Sequence, residues 1–207
     1  MNSELAFFTR HTKMVRHTIS TLALLSIAYI VPNGHAQSLF PASLDSAQLP
    51  NNTVLQKGLN KPFTAPEFKG INIWLNSPQL TIQDLKGKVV LVDFWTYSCI
   101  NCIHTLPHVT DWDQKYRNQG LMIVGIHTPE FEFEKTQDNV KTAIAKYGIH
   151  YPIALDNQYA TWRNYNNRYW PAFYLIDKRG EVVYTHFGEG EYDVTEHNIR
   201  LLLGLSN

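Results

Sequence analysis

Cys99 and Cys102 are the only thiols in this 207-residue chain. They lie in WTYSCINCIHTLPHV, residues 95–109, and His104 and His108 follow on one helix face at i, i+4 spacing. Several chemistries could use such a cluster. Two thiols in a four-residue stretch can pass electrons as a dithiol–disulfide couple. Thiolates and imidazoles together can hold copper or zinc, although zinc sites of this kind normally add a second, distant pair of ligands. Haem attachment needs C-x-x-C-H, and here Ile103 puts His104 out of register. A structural staple is a poor use of the pair, because bridging so short a loop constrains the unfolded chain little.

The elements around the pair decide how the thiols behave. Val89–Trp95, VVLVDFW, is a nearly continuous apolar run rich in β-branched residues, which predicts a strand buried on both faces. A helix is predicted next, with Ser98 as N-cap, a stripe of Ile103, Leu106, Val109, Trp112 and Tyr116, a kink at Pro107 and a stop at Gly120. LMIVGIH, residues 121–127, then reads as a second buried strand, completing a β-α-β unit. Cys99 therefore falls where strand hands over to helix. The unpaired amides and positive dipole end of the first turn stabilise a thiolate there. Cys99 is the expected nucleophile, and Cys102, one turn on, the resolving thiol. Asp93 lies inside the apolar strand six residues before Cys99. Burial should raise its pKa and suit it to take the proton from Cys102.

Further along, a helix is expected over about 137–147, a short strand at YPIAL and a turn of helix at NQYATWRNY. AFYLID and EVVYTHF should form a hairpin, and Asp193–Glu196 a capping box opening a last helix through Leu203. Glu67–Asn76 reads as a strand or hairpin arm ahead of this set.

The N-terminus carries Arg10, Lys13 and Arg16, then the apolar run Thr18–Val31, then small residues at Gly34 and Ala36. That order fits a signal peptide over 1–36, or a membrane anchor if it is not cleaved. Residues 37–62 are expected to be a linker or loose extension, and 63–207 one domain. Localisation would be periplasmic or otherwise extracytoplasmic. Basic and acidic residues balance at 18 each, which offers nothing to a nucleic acid. Aromatic residues make up 13% of the chain, and charged residues only 17%, a composition that favours a packed core over disorder.

VLVDFWTYSCINC resembles the thioredoxin active-site segment. The wider set APEFKGINIWLNS, LTIQDLKGKVVLVDFWTYSCINCIHTLPHV, HTPEFEFEK, YPIALDNQYATW, YWPAFYLID and HFGEGEY is similar to the TlpA-like exported proteins, above all their DipZ-like branch. The resemblance implies an α/β thioredoxin fold, a central mixed sheet flanked by helices, to which the reading of Glu67–Asn76 adds an N-terminal β-hairpin extension. It implies exchange with protein thiols and disulfides, and because the family includes reductases fed by a membrane electron carrier, a reductase with a membrane-embedded electron donor is expected. Separately from the resemblance, no cofactor, no metal and a monomer are expected. The resemblance also makes Pro171 a cis-proline facing the thiols. Trp170, Pro171 and Trp95 are then the expected substrate-binding residues, and the backbone of Trp170 would pair with an extended substrate segment. Tyr165, Tyr169 and Trp170 could form an apolar rim or a packed core. His104 stands where relatives often carry a cation, and it reads as a surface histidine.

Other readings stay open on the sequence. A copper-carrying redoxin would use Cys99, Cys102, His104 and His108. A peroxiredoxin-like thiol peroxidase would use Thr96-x-x-Cys99, although Val92 stands where that pattern has proline. A binding module with idle cysteines is opposed by the strand-to-helix placement and by Asp93. Neither Ile100 nor Asn101 is charged, so the sequence leaves the direction of electron flow open.

Overall fold

Val89–Trp95 (β3) is buried at every position and forms the middle of a seven-stranded mixed sheet. The computed structural model describes residues 54–205. Its strands are β1 Phe63–Thr64, β2 Trp74–Leu75, β3, β4 Leu121–His127, β5 Ile153–Leu155, β6 Ala172–Ile176 and β7 Glu181–Phe187. Their spatial order is β1-β7-β6-β3-β4-β5-β2. β3 runs parallel to β4 and antiparallel to β6, and β4 runs parallel to β5. The helices are α1 Ile100–Tyr116, α2 Gln137–Lys146, α3 Ala160–Asn164 and α4 Tyr192–Leu203.

The apolar run follows from burial on both faces. Val89, Leu91 and Trp95 join a core with Cys102, Leu106, Val109 and Trp112 of α1 and Ile199 of α4. Val90, Val92 and Phe94 join a second core with Phe68, Leu85, Tyr165 and Tyr174. Asp93 has the parity of the first set, the face on which Cys102 lies. Each fully buried large apolar side chain contributes about 1.5–3 kcal/mol.

α1 continues unbroken through Pro107, and Cys102, not Ile103, leads its buried stripe. A 3₁₀ turn, Arg117–Gln119, follows, and Gly120 closes it at φ 104°, a left-handed conformation that glycine adopts without strain.

The expected N-terminal hairpin is not formed. β1 pairs with β7 and β2 with β5, at opposite edges of the sheet. The two short strands cap edges that would otherwise present unpaired backbone. Nor does a capping box open α4: its N-cap is Glu191, which makes no side-chain cap bond and instead pairs with Lys57 at 2.5 Å.

The expected leader over 1–36 lies outside the described residues, as do residues 37–53 of the expected extension. Residues 54–62 are tied down. The Asn198 amide of α4 accepts from Gln56 N and donates to Gln56 O, both at 2.8 Å, and Leu59 N donates to Val183 O of β7 at 2.8 Å. Among the described residues no helix is long and apolar enough to cross a membrane.

Candidate active site

Three residues, Thr96, Tyr97 and Ser98, link β3 to the cysteines. Cys99, rather than Ser98, is the N-cap of α1, with extended backbone at φ −69° and ψ 118°. Its Sγ accepts the Cys102 backbone N–H at 3.3 Å, which satisfies one of the helix's orphan donors. Ser98 cannot serve as cap, because its hydroxyl donates to the Glu134 carboxylate.

Both thiols are free, Cys99 half-buried and Cys102 only 1% exposed. A hydrogen bond from the Cys102 thiol, helped by the backbone N–H groups of Cys102 and Asn101, brings the Cys99 pKa down to about 7; burial and the Glu130 charge oppose that shift. Burial, together with the hydrogen bond its S–H donates to Cys99, pushes the Cys102 thiol far up. The pair is therefore divided into a ready nucleophile and a protected, protonated partner.

Asp93 is 1% exposed, and its Oδ1 has no hydrogen-bond partner. Desolvation, reinforced by the Cys99 charge, raises its pKa to about 8. Its charge in turn adds to the upward shift of Cys102. Tyr151, also buried with an unpartnered hydroxyl, feels the Asp93 charge as well.

The Trp170–Pro171 peptide bond is cis. Pro171 is buried and its carbonyl accepts Gly188 N–H at 2.8 Å. The half-buried Trp170 indole donates to Thr128 O at 3.0 Å and packs on Trp162 at 4.1 Å between centroids. Trp95 is different. It is fully buried in the core behind α1, edge-on to His127, and presents no surface to a docked chain. Its expected substrate role is therefore corrected to packing. Of the expected aromatic rim, Tyr165 is buried in the second core, whereas Tyr169 is 54% exposed and packs against Phe187.

The histidines of the opening motif do not converge on the thiols. His104 pairs with Glu189 at 3.3 Å, and His108 stacks on Tyr192 at 3.6 Å between centroids. Among the described residues no group of three or more His, Cys, Asp or Glu side chains is arranged to hold a metal ion.

Residues that sequence reasoning passed over sit beside the link. Glu134 belongs to a 3₁₀ turn, Glu132–Lys135, that follows β4, and it is fully buried. Its carboxylate accepts from Ser98, from Glu130 N at 2.5 Å and from Phe131 N at 3.0 Å. Burial raises its pKa, but hydrogen bonds from Ser98, Phe131, Thr96 and Glu130 outweigh that and keep it ionised. His127 is also fully buried, with Nε2 3.3 Å from the Thr96 hydroxyl, and burial lowers its pKa to about 4. Both lie in HTPEFEFEK, residues 127–135, where Glu134 follows no periodic pattern that would mark it as buried.

The arrangement can accept a disulfide at Cys99 and resolve the mixed disulfide from Cys102, with a carboxyl group on the same face. Comparison with known proteins agrees with this chemistry. The family model described as Redoxin matches residues 60–203. Protein DipZ of Mycobacterium tuberculosis is 54% identical over 161 residues, covering 76% of this chain and 23% of that protein, so the chain spans under a quarter of its relative's length. Thiol-disulfide oxidoreductase YkuV of Bacillus subtilis is 30% identical over 138 residues, covering 67% of this chain and 93% of that one. Among solved structures, a thioredoxin-like protein studied in solution in its oxidized form is similar at 30% identity, with a TM-score of 0.63, covering 69% of this chain and 97% of its own.

Proposed function

The chain belongs to the Redoxin family and has a thioredoxin-like fold, and we propose that it is an extracytoplasmic thiol–disulfide oxidoreductase working as a reductase of protein disulfides. The observation that carries this reading is the asymmetry of the thiols on one helix end. Cys99 caps α1 half-exposed, and Cys102 is buried one turn behind it.

The reaction balances on these residues alone. The Cys99 thiolate attacks a substrate disulfide, forming a mixed disulfide and releasing one substrate thiolate, which takes up a proton. Forming the mixed disulfide removes the Cys99 charge that helps hold Asp93 protonated, and the Asp93 carboxylate then accepts the Cys102 proton. The Cys102 thiolate then attacks Cys99 Sγ, forming the Cys99–Cys102 disulfide and releasing the second substrate sulfur as a thiolate, which takes up the proton left on Asp93. Two electrons pass to the substrate, and an external dithiol must return them. We assign that role to a membrane-embedded donor. Trp170 and Pro171 would hold the substrate chain beside Cys99, where Ile100 adds an exposed apolar side chain, 60% accessible. The basic and apolar N-terminus supports export.

The moderate pKa of Cys99 supports this direction. A strongly depressed value stabilises the dithiol form and makes an oxidant, whereas the reductant thioredoxin has a value of about 7. The test is reduction of insulin disulfides by the dithiol protein. Wild type should reduce insulin and Cys99→Ser should not. Equal activity in Cys99→Ser would refute the assignment.

A further inference from the structure

The Thr96–Tyr97–Ser98 link sets where Cys99 stands, and every residue of it is fastened to the segment after β4. The Thr96 hydroxyl meets His127 and Glu134. The Tyr97 ring stacks on His127 at 5.6 Å, and its hydroxyl donates to Phe133 O at 3.1 Å. Ser98 donates to Glu134. A carboxylate with no exposed surface is costly to keep unless its oxygens are filled, and here four donors fill them. Two of those donors come from the link and two from the backbone of the 128–131 loop.

We propose that Glu134 is a positioning residue for the dithiol: its buried carboxylate clamps Ser98 and Thr96 to the loop after β4, and so holds Cys99 in the orientation in which its sulfur caps α1. This rests on the thiol-exchange reading of the site and extends it to a residue 35 positions from Cys99 and 36 from Ser98 in sequence. The same clamp fixes the backbone of Glu130, whose carboxylate charge bears on Cys99. Loss of the clamp should loosen the cap and leave the Cys99 thiolate less stabilised. The other titratable groups acting on Cys99 are Cys102 on α1, Asp93 on β3 and Glu130 in the loop.

The test uses variants that keep the Glu134 charge, since its loss alone would favour the thiolate. Ser98→Ala removes the hydroxyl, and Glu134→Asp withdraws the carboxylate by one methylene. Ser98→Thr restores a hydroxyl. The readout is the pH profile of Cys99 alkylation by iodoacetamide in the reduced full chain, with circular dichroism melts to establish folding. Folded Ser98→Ala and Glu134→Asp should show the alkylation midpoint moved to higher pH and a rate at pH 7 at least about threefold lower, with Ser98→Thr close to wild type. If Glu134→Asp does not fold, Ser98→Ala decides alone. A folded Ser98→Ala with the wild-type profile overturns the proposal. Alkylation needs no turnover, so a wild type that alkylates normally yet reduces no disulfide would count against the oxidoreductase reading and not against the clamp.

Discussion

The Cys99 sulfur accepts the backbone N–H of Cys102 at 3.3 Å, so the proposed nucleophile caps the helix that carries its proposed resolving partner. One hydrogen bond thereby fixes the spacing of the pair and lowers the pKa of one member. The reactivity of the two thiols should be sharply unequal. Iodoacetamide alkylation followed by peptide mass mapping should modify Cys99 with a midpoint near pH 7 and leave Cys102 unmodified at neutral pH. Equal labelling of both cysteines would contradict the division of roles.

That division predicts a trapped intermediate. Cys102→Ser removes the thiol proposed to resolve the mixed disulfide. The variant should accumulate a covalent adduct through Cys99 with a disulfide-bearing protein, visible on non-reducing gels and released by dithiothreitol. Cys99→Ser should trap little, because the remaining thiol is buried and protonated. A peroxiredoxin-like enzyme would behave differently, and Cys102→Ser would keep fast stoichiometric turnover of hydrogen peroxide.

Asp93 makes stability depend on pH with a definite sign. Its pKa in the folded chain is about 8, against an ordinary 3.8. Between about pH 4 and pH 8 the folded protein holds a proton that the unfolded chain has released. Stability contributed by this site is therefore lost as pH rises through that window and is level above it. Asp93→Asn should be stabilising relative to wild type at pH 8, on the order of 2–5 kcal/mol, and the gain should shrink towards pH 4. Urea denaturation of the reduced proteins across that range measures it. On the proposal that Asp93 takes the Cys102 proton, the same variant should lower disulfide-reduction rates by roughly 100-fold or more.

Gly125 stands opposite Asp93 on β4. A Cβ there would meet Ile153 Cδ1 at 2.5 Å, Trp95 Nε1 at 3.0 Å and Tyr151 Cε2 at 3.2 Å. Gly125→Ala should cost about 1–3 kcal/mol by overpacking. Its urea midpoint should fall, and an unchanged midpoint would mean that this wall of the core yields easily.

Much of this was legible in the sequence because β3 and α1 state their roles locally. Val89–Trp95 announces a doubly buried strand, and the cysteines immediately follow it. Asp93 was conspicuous for the same reason, as a lone carboxylate in an apolar run. What was not legible depends on long-range contacts. Ser98 looks like an N-cap until Glu134, 36 residues on, takes its hydroxyl. Trp95, at the end of that strand and beside the motif, invites a substrate-binding role until the sheet and α1 enclose it. Phe63–Thr64 and Trp74–Leu75 are neighbours in sequence but pair with β7 and β5, so a hairpin was the natural and mistaken expectation. Glu134 itself, in a charged stretch, gives no periodic sign of being buried.

The central claim is that this pair is a reducing dithiol. Equilibration of the protein in glutathione buffers of known ratio, with the Cys99–Cys102 disulfide fraction read by thiol alkylation, measures its reduction potential directly. The account predicts a value near thioredoxin's, about −270 mV. A value near that of a strong oxidant, about −120 mV, would contradict it.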